Sequence, residues 1–74
     1  MAMRYSVTNK EALACLTREI ATRYPAVENP VCTIEARRGQ KVFIKVTGTQ
    51  DEMPWEEHWS VSYAVCGVNI QRVN

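Results

Sequence analysis

The sequence predicts an α+β domain of two layers, with one helix packed on a three- to four-stranded antiparallel sheet, and three observations predict it. Residues 31–47 hold two runs of alternating apolar and polar residues on either side of Arg38-Gly39, the pattern of a hairpin with one dry and one wet face. Trp59, Val61, Tyr63 and Val65 make a second alternating segment. Ahead of both, Leu13, Leu16, Ile20 and Tyr24 recur at helical spacing. One amphipathic helix and two amphipathic β segments hide their apolar faces most simply against one another, in the order α-β-β-β.

Met3–Val7 alternates weakly and reads as an additional N-terminal edge strand or an arm on the sheet. Thr8-Asn-Lys-Glu11 then has the capping-box pattern, in which each of the two side chains binds the other residue's amide. A helix over Asn9–Arg23 follows. Glu19 and Arg23 sit one turn apart in the favourable order, and Pro25 stops the helix because the residue before proline avoids the α region. Ala26–Pro30 is a linker, with Asn29-Pro30 marking the turn into the hairpin.

In the hairpin, Cys32, Ile34 and Ala36 share the inner face with Val42, Ile44 and Val46, while Glu35, Arg37, Lys41, Phe43 and Lys45 take the outer one. The pattern reads Gly48–Glu57 as a loop, since glycine interrupts a strand and Pro54 lacks an amide to pair. The strand from Trp59 presents Ser60, Ser62, Ala64 and Cys66 opposite its apolar face. Gly67 marks a bend, after which Val68, Ile70 and Val73 continue the strand or form a short fourth one. Leu13, Leu16 and Ile20 are expected against Ile34, Ile44, Val61 and Val65, with Trp59 in the core.

With 74 residues, 46% hydrophobic and 23% charged, the chain is a single globular domain over residues 1–74 and not a disordered one. The net charge of +1 recommends neither nucleic acid nor an anionic membrane through a global field. Its distribution is uneven. Arg37, Arg38, Lys41 and Lys45 cluster at the hairpin, and Asp51, Glu52, Glu56 and Glu57 follow with no base among them. No signal peptide is legible, and no window approaches the roughly eighteen apolar residues of a membrane span. Three cysteines without paired spacing argue against a disulfide framework and for a reducing cytoplasm.

Two surfaces carry the functional expectations. The outer hairpin face sets Phe43 between Lys41 and Lys45, with Arg37 beside them and Arg38 at the tip. Single-stranded nucleic acids are held that way, by base stacking and phosphate neutralisation; the plainer reading is a solvated face whose charges discourage edge aggregation. The segment Asp51–His58 places Met53 and Trp55 among Glu52, Glu56 and Glu57, the composition of a protein contact with apolar anchors ringed by charge. Its plainer reading folds Trp55 back over the core beside Trp59.

No ligand spacing suits zinc, no arrangement of nucleophile and base is present, and no cofactor is expected. Cys15 falls opposite the helical apolar stripe, near Arg18, with no histidine to activate it. His58 is read as a strand histidine making a local hydrogen bond. The expectation is therefore a non-enzymatic protein-interaction or inhibitor-type domain of the size that phages and mobile elements encode as accessory proteins. Nucleic-acid binding through the basic face is the alternative. A terminal strand with little charge beyond Arg72 also leaves an edge open to a homodimer or to a partner strand.

Overall fold

The computed structural model describes residues 7–64 and 67–73. Helix α1 (Asn9–Arg23) packs on one face of an open antiparallel sheet of β1 (Glu28–Arg38), β2 (Lys41–Gln50), β3 (Met53–Ala64) and β4 (Gly67–Arg72), which neighbour one another in chain order. The expected class holds, and the segment after Gly67 is a fourth strand. Of the candidate N-terminal strand, only Val7 lies among the described residues, and it is buried in the core. Val65 and Cys66 also lie outside them.

The helix begins as its sequence dictates. Thr8 Oγ1 accepts the Glu11 amide at 3.1 Å, and the Glu11 carboxylate accepts the Thr8 amide at 2.9 Å. Tyr24 caps the other end, its amide donating to the Ile20 carbonyl. Ala12, Leu16 and Ile20 are fully buried, whereas Leu13 and Tyr24 are only partly covered. The contact face is thus turned from the Leu13 side toward Ala12. Opposite lie Val42, Ile44 and Val46 of β2 and Trp59 and Val61 of β3, all fully buried. The central strands carry the core because neighbours flank them on both sides. Cys32 and Ile34 of β1 and Ile70 of β4 are half-covered.

Three expectations are corrected, each by a feature that pattern alone cannot carry. The first is the facing of β1 near its end. Ile34 pairs with Ile44, but the next pair is Ala36 with Phe43, so Glu35 is the extra residue of a β-bulge. Ala36 therefore lies on the outer face, not the inner one. Arg37, in register with Val42, turns to the helix side and donates to Asn9 Oδ1 at 3.0 Å.

The second is the linker. β1 already pairs at Glu28, and a further irregularity sets Asn29 and Pro30 against Gly48, with Asn29 left-handed at φ 52°. A Cβ on Gly48 would lie 2.6 Å from Val27 Cγ1 and 3.0 Å from the Glu28 carbonyl. Gly48 does not end β2; its missing side chain lets the entering chain cross.

The third is the loop over residues 48–57, which is a hairpin. Gln50 pairs with Met53 and only Asp51 and Glu52 remain between the strands, at φ 52° and 63°, the two positive values of a type I′ turn. Pro54 is tolerated for a geometric reason. Gln50 and Met53 form the hydrogen-bonded closing pair, so Thr49 and Pro54 form a non-hydrogen-bonded one, with the proline nitrogen aimed away from β2. Among the described residues β4 pairs with β3 only from Trp59 to Ala64, so they form no ladder on that side for Pro54 to interrupt. At the other hairpin, Gly39 is left-handed at φ 61°, as the first position of a type II′ turn requires.

Candidate functional site

Register sets the two surfaces at opposite ends of β2. Its ten residues span about 30 Å at roughly 3.3 Å each. Arg38 and Lys41 close the turn at one end, and Asp51 and Glu52 form the turn at the other, near Glu28, which is in register with Thr49. The charge asymmetry of the sequence thus becomes a basic pole and an acidic pole.

At the acidic pole, alternation along β3 puts Met53, Trp55, Glu57 and Trp59 on the helix side and Pro54, Glu56 and His58 on the other. Met53 is 64% exposed. Trp55 is half-covered, its ring tilted against Tyr24 with centroids 5.4 Å apart. Tyr24 in turn meets the edge of Trp59 at 6.4 Å, and the Arg23 guanidinium lies 5.3 Å from the centroid of Trp59. An aromatic row therefore runs from the core to the tip and ends in an exposed methionine. Asp51 and Glu52 are exposed in the turn beside it, and Glu56 is exposed on the opposite face.

Glu57, grouped with these carboxylates on sequence grounds, is buried: it accepts the Trp59 Nε1–H at 3.1 Å and pairs with Arg72 at 3.4 Å. It holds the core tryptophan in place and belongs to the scaffold of the tip, not to its exposed rim.

At the basic pole, Phe43 is half-exposed between Ala36 and Ser60 in register, with the Arg38 guanidinium 6.0 Å from its ring centroid. Glu35, Ala36, Arg38 and Phe43 line a shallow hollow there. Lys45 shares this face, in register with His58. Arg37 does not, because the Glu35 bulge has sent it to the helix side.

The centre of the outer face carries a cluster that sequence reasoning missed. His58 Nδ1 lies 2.8 Å from Glu35 Oε1, and Nε2 lies 2.9 Å from Glu56 Oε2. The hydrogen bond to Glu35 first, and that to Glu56 second, push the His58 pKa up from the ordinary 6.5. Glu56-Glu57-His58 already implied that Glu56 and His58 share a face, since strand side chains alternate. Alternation already put the third member, Glu35, on this face, and the register of β1, β2 and β3 brings it beside His58.

Cys32 accepts a hydrogen bond from Thr17 Oγ1 at 3.6 Å, and Cys15 is half-buried. Among the described residues, no group of three or more His, Cys, Asp or Glu side chains is arranged to hold a metal ion. Among the same residues, no helix is long and apolar enough to cross a membrane. Compared with protein-family models, with curated proteins and with solved structures, this chain has no match.

Proposed function

We propose that the chain is a small non-enzymatic binding protein that docks the acidic tip of its β2–β3 hairpin on a basic surface of a protein partner and acts by occluding that surface. One observation carries the reading. Met53 and the uncovered edge of Trp55 share one face of a two-residue hairpin, beside the exposed carboxylates of Asp51 and Glu52 in its turn. Apolar anchors inside a charged rim are the anatomy of interface hot spots. The rim steers the encounter, and the anchors set the residence time. The tight turn and the aromatic row behind it keep the anchors in place before contact, which lowers the ordering cost of binding.

The alternative, nucleic-acid binding on the Phe43 face, has weaker support. Arg37 donates to the helix side, and Glu35 and Glu56 share the face with Lys45. Those carboxylates oppose the phosphate neutralisation on which such affinity depends.

Affinity capture from a cell lysate, with and without nuclease, separates the two. Wild-type protein is expected to retain a protein species after nuclease. Met53→Ala combined with Glu52→Lys is expected to weaken that capture by about 2 kcal/mol or more, while Lys41→Glu with Lys45→Glu leaves it intact. Capture that nuclease abolishes, or that follows the lysine variant and ignores the tip variant, overturns the proposal in favour of nucleic acid.

A further inference from the structure

The Glu35–His58–Glu56 cluster joins three features that point the same way. Both imidazole nitrogens lie within hydrogen-bonding distance of a carboxylate, at 2.8 and 2.9 Å. An ionised carboxylate only accepts, and a neutral imidazole has one N–H. The two contacts are hydrogen bonds together only when the ring is an imidazolium. Next, Glu35 is the bulge residue of β1, the one place in the second half of that strand where the ladder to β2 is interrupted. Lastly, the contact crosses β2: Glu35 belongs to an edge strand, and His58 and Glu56 belong to β3.

We propose that His58 is a proton-operated clip: as imidazolium it fastens the bulge of edge strand β1 to β3 across the outer face, and on losing its proton it releases β1 there.

The groups facing it from each element are few. β1 supplies Glu35, β3 supplies Glu56, and β2 supplies Lys45, in register with His58. From the β4 side, the Val73 amide donates to the His58 carbonyl at 2.7 Å, and the Arg72 guanidinium turns to Glu57 on the opposite face. The helix packs on that opposite face too. Lys45 disfavours the imidazolium; the two carboxylates favour it and touch it directly.

Loss of the proton leaves a ring nitrogen lone pair against a carboxylate, so one contact becomes repulsive and the outer face gains negative charge. The raised pKa fixes the sign. The clip's contribution to stability is fully present below the ordinary value near 6.5 and is lost as pH rises through the folded-state pKa.

The test is NMR on the intact chain across the titration. The His58 ring is expected to titrate above 6.5, and Glu35→Gln and Glu56→Gln are each expected to move that titration down. Amide protection factors at residues 35–37, corrected for intrinsic exchange, are expected to fall several-fold through the His58 titration and to be flat with pH in His58→Gln. A ring that titrates at or below 6.5 overturns the clip, as does protection at 35–37 that is indifferent to the titration. Should His58→Gln fail to fold, the two glutamine variants decide on the ring titration alone.

Discussion

Trp55 and Trp59 are two residues apart on one face of β3 and meet different surroundings. Trp59 is wholly buried, with its Nε1–H satisfied by Glu57 and its ring edge against Tyr24. Its truncation removes a large core side chain and leaves a buried carboxylate without that donor. Trp55 keeps one side in solvent and loses mainly the Tyr24 contact when cut back. In chemical denaturation, Trp59→Ala is expected to cost about 3–5 kcal/mol, enough to unfold a domain of this size. Trp55→Ala is expected to cost about 1–2 kcal/mol. Equal losses would contradict the burial difference. Trp55 is therefore a partial lid on the core that keeps one edge in solvent, so the two readings of the sequence, lid and contact anchor, are not mutually exclusive.

Among the elements, the β2–β3 hairpin is the least ordinary. Its turn puts Asp51 and Glu52 at positive φ, a region in which an aspartate is tolerated but a glutamate is strained by about 1 kcal/mol or more. Glycine at the second position has no such strain. Glu52→Gly with Asp51→Asn is therefore expected to raise stability by roughly 1 kcal/mol while weakening partner capture through loss of two rim charges. A thermal melt of the double variant at or below the wild-type midpoint would show that the turn carries no strain. The contrast with the Gly39 turn is informative. There the required left-handed residue is a glycine, which carries no such strain.

At the scale of the whole molecule the two sheet edges differ. β1 is broken by irregularities at Glu28/Val31 and Ile34/Ala36 and carries Pro30, Arg37 and Arg38, all devices that discourage strand addition. Among the described residues nothing pairs with the outer edge of β4. Its one charged side chain, Arg72, is engaged by Glu57, and Val68 is 39% exposed. Antiparallel pairing of β4 with β4 of a second copy would extend the sheet and cover that edge, so a concentration-dependent dimer is the expected association state. Light scattering over a wide concentration range checks it. Asn69→Lys with Gln71→Lys should restore the monomer, and a wild-type monomer at the highest concentration would refute β4 pairing.

Whatever depends on spacing within one element was legible from the residues alone. The helix from Asn9 to Arg23, its Thr8–Glu11 cap, the inner face of Val42, Ile44 and Val46 and the burial of Trp59 follow from periodicity and from local hydrogen-bonding chemistry. Register and bulges were not legible, because they depend on which strand lies alongside. The bulge at Glu35 exchanged the faces of Ala36 and Arg37 and removed one arginine from the basic surface. Gly48 and Pro54 read as strand breakers, but in the folded sheet one makes room for Val27 and the other faces a side where no described residue pairs. The acidic segment carried its charges in plain sequence, yet only the folded sheet decided that Glu57 goes inward to Trp59 while Glu56 reaches His58. A strand has two faces two residues apart in period; composition places charge in a segment, and tertiary pairing alone decides which side of the sheet each charge meets.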